Sequence, residues 1–214
     1  MNQSTVFLIE DESSRDESVV DLLHRGNLPV QVFRHPSLFY EEYDPNQPGC
    51  MVMDLNRSLV AGVTLAEQIH DRGYCPPYII VGGQPRTCDL ARAMRSGARD
   101  FFEKPVEVDL FLQRIREAIA EDQLRRQQRE EDSMIRQRIE SLSPRESEIL
   151  NLVMEGKLSK QIASHLEISI KTVEAHRANI LRKMHVDSFI QVVCLIANRP
   201  QLLQADSISL STSG

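Results

Sequence analysis

Two short apolar runs of this chain end in carboxylates, and a third short run ends in a lysine. Val6-Phe7-Leu8-Ile9 leads into Glu10-Asp11-Glu12, Cys50-Met51-Val52-Met53 into Asp54, and Asp100-Phe101-Phe102-Glu103 into Lys104-Pro105. Taken singly, an acidic triplet after a strand is a solvated loop, Asp54 a helix cap and Lys104 a surface lysine. Brought to one place, crowded carboxylates repel unless a cation intervenes, and oxygen-only ligands suit Mg2+. A lysine opposite them pairs with an incoming phosphoryl oxygen. Far downstream, Lys171-Thr172-Val173-Glu174-Ala175-His176-Arg177-Ala178 interleaves cationic, polar and small residues. These types contact phosphates and base edges.

The elements that must position these residues follow from the hydrophobic pattern. Val6–Ile9, Val30–Phe33, Cys50–Leu55, Tyr78–Val81 and Asp100–Glu103 read as strands. Between them lie helical stretches: Ser14 to Arg25, a short one around Leu38 and Phe39, Val63 to His70, and Thr87 to Ser96. Five alternating strands predict an α/β domain with a parallel sheet, doubly wound with right-handed crossovers. Ligands of such a sheet bind at the carboxyl ends of its strands, where Glu10, Asp54 and Lys104 fall. A helix over 107–140 follows. Its first half is amphipathic through Leu112, Ile115 and Ile119, and its second half has the composition of a solvated bridge. Leu124, Ile135, Ile139 and Leu142 offer an irregular coiled-coil seam as an alternative.

Residues 141–198 predict an all-α four-helix unit. Ser143-Pro144-Arg145-Glu146 is a capping box with Pro at the first helical position. Ser159, Ser169 and Ser188 are the expected caps of three further helices, the last with Ile190, Val193 and Ile196 or Ala197 turned inward. The expected domains are 1–120, a linker over 121–140, a helical domain over 141–206 and a tail over 207–214.

The net charge of −6 is unevenly placed. Residues 1–120 carry 12 basic and 18 acidic residues, and residues 141–214 carry 8 and 7. That asymmetry suggests two jobs in one chain. Cys50, Cys75, Cys88 and Cys194 lack metal-ligand spacing, which argues against a zinc site or a disulfide framework. No apolar run reaches the length of a membrane span and no secretory signal is evident, so a soluble, cytoplasmic protein is expected.

Glu10-Asp11, Asp54 and Lys104-Pro105, with Gly97-Ala98-Arg99-Asp100-Phe101 before the lysine, resemble the receiver domain of two-component response regulators. The resemblance covers residues 4–120. It implies that Asp54 accepts phosphate from a sensor histidine kinase. It also implies that Glu10, Asp11, Asp54 and the Asn56 carbonyl hold Mg2+, that Lys104 stabilises the product, and that Phe101 is the family's rotating aromatic switch. Gly82 stands where receivers carry Thr or Ser, so the usual switching hydroxyl is missing.

Leu142-Ser143-Pro144-Arg145-Glu146, Lys160-Gln161-Ile162-Ala163 and the Lys171–Ile180 segment resemble the LuxR-type helix-turn-helix, and the pairing with a receiver is similar to the FixJ/NarL type. On the third helix Val173, Ile180 and Met184 belong inside. Glu174, Ala175, Ala178 and Arg182 then face outward, with small Ala175 and Ala178 admitting thymine methyls and Glu174 accepting from cytosine. Lys160, Lys171, Thr172, His176, Arg177 and Lys183 suit phosphates. A charge this low for a DNA binder predicts a homodimer over two half-sites, through the last helix. Double-stranded DNA, the kinase and RNA polymerase are the expected partners, and the chain is not expected to be an enzyme. A haloacid-type phosphatase would need Asp where Asn56 stands. The remaining alternative is a phosphate-independent receiver acting as a protein-interaction module.

Overall fold

Uninterrupted apolar runs make stable strands where a sheet is covered on both faces. In the computed structural model, which describes residues 4–10, 19–55, 59–71 and 73–199, three such runs are the inner strands β1 (Thr5–Glu10), β3 (Gly49–Asp54) and β4 (Tyr78–Gly82). The edges are β2 (Val30–Phe33) and β5 (Ala98–Glu103). The order is β2-β1-β3-β4-β5, and every pairing is parallel. Helices α1 (Val19–Arg25), α2 (Pro36–Glu42), α3 (Leu59–Asp71) and α4 (Thr87–Arg95) alternate with the strands, and α5 (Val108–Glu140) follows β5. The predicted start of α1 at Ser14 lies outside the described residues.

Alternation along the strands builds two cores. Phe7 and Ile9 join Met51, Met53, Phe39 and Ile69 on one face. Val6 and Leu8 join Val52, Leu23, Phe111 and Ile115 on the other. Each such side chain contributes about 1.5–3 kcal/mol by burial, and a one-residue slip would exchange the two sets. The register is thereby set, and it brings Glu10 opposite Asp54 at one end of the sheet.

The chain divides into two compact units, residues 1–127 and 128–214. The long helix contributes to both, and most of 121–140 is exposed, but the structure departs from a wholly solvated stretch at the buried Asp122, Ile135 and Ile139. In the first unit Asp122 is fully buried and accepts hydrogen bonds from the Gly49 amide (2.9 Å), the Tyr74 hydroxyl (2.5 Å) and Arg126 Nε (2.7 Å). Arg126 also donates to the Pro45 carbonyl and to the Tyr43 hydroxyl, and it lies over the Tyr74 ring. A buried ion pair of this kind leaves no trace in hydrophobic periodicity. In the second unit Ile135, Ile139 and Leu142 are buried in the helical core, so they form no free coiled-coil seam; Leu124 stays exposed.

Removing one partner of a buried, hydrogen-bonded charge pair strands the other. Asp122→Ala is therefore expected to destabilise the first unit by about 3–5 kcal/mol. Urea unfolding followed by tyrosine fluorescence checks this on that unit alone: the chain has no Trp, and its four tyrosines (Tyr40, Tyr43, Tyr74, Tyr78) all lie there.

The second unit adds α6 (Pro144–Met154), α7 (Ser159–His165), α8 (Ile170–Met184) and α9 (Phe189–Ala197). The capping box forms in both directions between Ser143 and Glu146, and Ser169 and Ser188 cap α8 and α9. Ser159 is not a cap. It is the first residue of α7, and Gln161 Oε1 accepts the Leu158 amide there. The phase of α9 differs in part from expectation: Ile196 points inward as expected, but its inward partner is Val192, while Ile190 is 77% exposed. Apolar residues on nearly every position of Phe189–Ala197 leave periodicity unable to choose a face.

Candidate functional site

The first site lies at the carboxyl end of the sheet. Asp54 closes β3 and is buried, and Glu10 closes β1 beside it. Lys104 follows β5, and its ammonium sits 2.7 Å from Asp54 Oδ1 and 3.0 Å from Oδ2. The Lys104 amide donates to the Gly82 carbonyl at 2.9 Å, and a cis peptide joins Lys104 to Pro105. Burial, and then the neighbouring Asp54 carboxylate, raise the Glu10 carboxyl above its ordinary range, with Arg34 and Lys104 opposing. Among the described residues no group of three or more metal-ligating side chains forms. Glu10 and Asp54 are the two predicted ligands that the structure brings together, and Asp11 and Asn56 lie outside the described residues. Two carboxylates side by side at the ends of adjacent strands are a donor set that fits a hard divalent cation such as Mg2+.

Gly82 ends β4 between both working parts of this pocket. Besides accepting from Lys104, it lets the β3–α3 connection approach closely. A Cβ built on Gly82 would lie 2.6 Å from the Leu55 carbonyl oxygen and 3.8 Å from the Phe101 ring. The Leu55 amide is itself held by the Val81 carbonyl at 2.8 Å. Phe101 is half-buried and packs against the sheet core. The absent hydroxyl at this position thus coincides with a backbone that leaves no room for any side chain. Gly82→Ala and Gly82→Thr are both expected to destabilise the first unit by about 1–3 kcal/mol, because the clash begins at Cβ. Tyrosine-detected unfolding of the two variants side by side checks it.

The second site is the exposed face of α8. Val173, Ile180 and Met184 are buried against the helical core, as their spacing predicted. Lys171, Thr172, Glu174, Ala175, Ala178 and Arg182 are exposed, and so is Lys160 on α7. Ser169 Oγ accepts the Thr172 amide at 3.0 Å and bonds the Thr172 hydroxyl at 2.8 Å, which sets the N-terminal turn. His176 and Arg177 are half-buried, and the Arg177 guanidinium lies 4.1 Å from the centre of the Phe189 ring on α9. Lys183 is placed differently from its neighbours. Its ammonium is 2.6 Å from Glu146 Oε2 and 2.9 Å from the Ser141 carbonyl, so its charge is spent on the capping box of α6. The capping box was legible in the sequence. Its lysine partner, 37 positions away, had no local signal.

The outward face of α9 escaped the sequence reading. Ile190, Cys194 and Ala197 are exposed and Val193 half-exposed, at i, i+4, i+7 and i+3. A side chain as apolar as Ile190 held in water on a helix stripe is the kind of surface that a partner covers.

The sequence matches two family models. The response regulator receiver domain matches residues 6–116, and the bacterial regulatory proteins of the luxR family match residues 140–196. The response regulator protein TodT of Pseudomonas putida is 32% identical over 190 residues, 89% of this chain and 84% of that relative. The transcriptional regulatory protein FixJ of Rhizobium meliloti is 31% identical over 193 residues, 90% of this chain and 95% of that relative. Among solved structures, response regulator StyR is similar with a TM-score of 0.79 and 34% identity, over 92% of this chain and 99% of that one. Full-length FixJ from B. japonicum is similar with a TM-score of 0.53 and 28% identity, over 92% and 97%.

Proposed function

The chain belongs to the two-component response regulators, with a receiver domain followed by a LuxR-family DNA-binding domain, and from that premise we propose that it is a transcription factor whose DNA binding is tuned by phosphorylation of Asp54. The family consists of transcriptional regulators, not enzymes, although Asp54 undergoes covalent chemistry. The observation that carries the proposal is the Asp54 carboxylate, buried beside Glu10 with both oxygens within 3.0 Å of the Lys104 ammonium.

A carboxylate oxygen of Asp54 attacks the phosphorus of a sensor kinase's phosphohistidine. The new P–O bond forms as the P–N bond breaks, and the imidazole nitrogen keeps the electron pair and takes up a proton. Lys104 passes from the Asp54 oxygens to the phosphoryl oxygens and stabilises the added charge. A Mg2+ held by Glu10, Asp11, Asp54 and the Asn56 carbonyl would neutralise charge in the transition state. In the C-terminal domain, Glu174, Ala175 and Ala178 read base edges. Lys160, Lys171, Thr172, His176 and Arg177 hold phosphates, and the α9 stripe joins two copies over paired half-sites. RNA polymerase is the partner of the DNA-bound dimer.

One observation favours a second reading, a receiver whose output ignores phosphate. The Leu55 carbonyl already occupies the space beside Gly82, so no β4 side chain reports phosphoryl arrival. Incubation with Mg2+ and acetyl phosphate, followed by intact mass and a mobility-shift titration, separates the two. A gain of about 80 Da, one phosphoryl group, together with tighter DNA binding supports the proposal. The same gain with unchanged affinity supports the second reading.

A further inference from the structure

At the other end of the sheet from Asp54, where β4 and β5 begin, the first unit has a cleft of about 420 Å3. Ala66, Pro76, Pro77 and Tyr78 form apolar wall, and Cys75 lies among them. This volume is in the range in which proteins enclose most of a small ligand's surface. Much of the polar lining is already committed. The Tyr78 hydroxyl donates to the Ser96 carbonyl at 2.9 Å, Ser96 Oγ bonds Glu67 at 3.3 Å, and Glu67 faces Arg92 at 3.5 Å. Two guanidiniums also line the cleft, Arg99 from β5 and Arg125 from α5. Both pair with one carboxylate, Glu121, at 2.6 Å from Arg125. Among the described residues no other carboxylate forms an ion pair with either arginine, so the Arg99–Glu121–Arg125 group carries a net charge of +1, with the Asp71 carboxylate also on the lining but outside ion-pair reach. Burial, and then repulsion from Arg125, hold Arg99 below the usual guanidinium range. His70 and Asp71 are exposed at the end of α3 and reach the opening from a different element.

We propose that this cleft is a binding site for a small amphipathic carboxylate. The apolar body lies on Ala66, Pro76, Pro77 and Tyr78, and the carboxylate takes up the net positive charge of the Arg99–Glu121–Arg125 group. A guanidinium pair presents the planar donors that a carboxylate accepts, and the apolar wall distinguishes such a ligand from a simple inorganic anion. The site is separate from the phosphoacceptor pocket and does not depend on it. Arg125 adjoins the buried Asp122–Arg126 pair, so a ligand here contacts the part of α5 that is clamped to the sheet.

The half-buried Cys75 reports occupancy. Its thiol is pushed up to about 12 by burial, and the exposed Cys88 serves as internal reference. The full chain is alkylated with N-ethylmaleimide in the presence of sodium hexanoate, hexanamide or ionic-strength-matched sodium sulfate, and the modified peptides are resolved by mass spectrometry. Hexanoate is expected to slow modification of Cys75 relative to Cys88 by about tenfold at ten times its Kd, as mass action requires. Hexanamide and sulfate are expected to protect far less. Arg125→Gln and Arg99→Gln should each weaken the protection, with tyrosine fluorescence confirming the fold. Absence of protection by hexanoate overturns the proposal, and so does equal protection by hexanamide or by sulfate. Undiminished protection in both variants overturns it too. If a variant loses its fold, the three-ligand comparison on the unaltered chain decides alone.

Discussion

Asp54→Asn is expected to abolish the phosphoryl adduct formed with acetyl phosphate and Mg2+, and with it any donor-dependent change in DNA affinity. An amide nitrogen or oxygen does not replace a carboxylate nucleophile, so the loss should be complete within detection by intact mass. The change is nearly isosteric, and Asp54 is buried among β-strand neighbours whose packing it leaves alone. Lys104→Gln separates roles. It keeps the nucleophile but removes the ammonium now within 3.0 Å of both carboxylate oxygens. Losing one preorganised electrostatic partner slows such reactions by about 10²–10³-fold. Slow but detectable adduct is therefore expected, measured as the initial rate of mass gain. An adduct of undiminished yield in Asp54→Asn would move the phosphoacceptor elsewhere and defeat the proposed function.

Ile190→Glu is expected to weaken binding to a paired half-site by about 10²-fold or more while leaving binding to a single half-site nearly unchanged. The DNA-binding half carries little net charge, 8 basic against 7 acidic residues over 141–214, and Lys183 is already paired to Glu146. One copy has few phosphates to neutralise, so its own affinity is low. Joining two copies makes the second contact intramolecular, and such linkage multiplies affinity by about 10²–10⁴. Ile190, 77% exposed, lies on the α9 stripe away from the buried Val192 and Ile196, so a charge there blocks association without opening the core. Sedimentation with and without DNA checks the dimer, and mobility shifts on full and half operators check the coupling. Equal losses on both operators would mean that Ile190 lies at the DNA and not at a dimer interface.

The strand ends of the receiver were legible because apolar runs buried on both faces have one acceptable arrangement. Val6–Ile9 and Cys50–Met53 could only be inner strands, and the residues after them had to arrive at the same end of a parallel sheet. The caps at Ser143, Ser169 and Ser188 were legible for a related reason, since each bond spans three residues. The inward face of α8 was legible because Val173, Ile180 and Met184 recur at i, i+7 and i+11 on one apolar stripe, with Leu181 packed beside them. For α9, where almost every residue is apolar, no stripe existed to phase the helix.

Residue types and their order alone determined that carboxylates, a lysine and a basic reading helix would be present, and which short elements would carry them. Tertiary structure decided what those groups are free to do. Lys183 and Arg177 entered as cations of one helix, but Glu146 pairs with the first and Phe189 orients the second, each from another helix. Asp122 entered as part of a solvated stretch, but the chain folds Gly49, Tyr74 and Arg126 around it. Gly82 entered as a missing hydroxyl, and only the approach of the Leu55 carbonyl shows that its missing Cβ matters as well. The physical reason is common to all four. Local patterns encode bonds between residues a few positions apart, whereas the partner that spends a charge or fills a space comes from far along the chain and is selected only when the whole core closes.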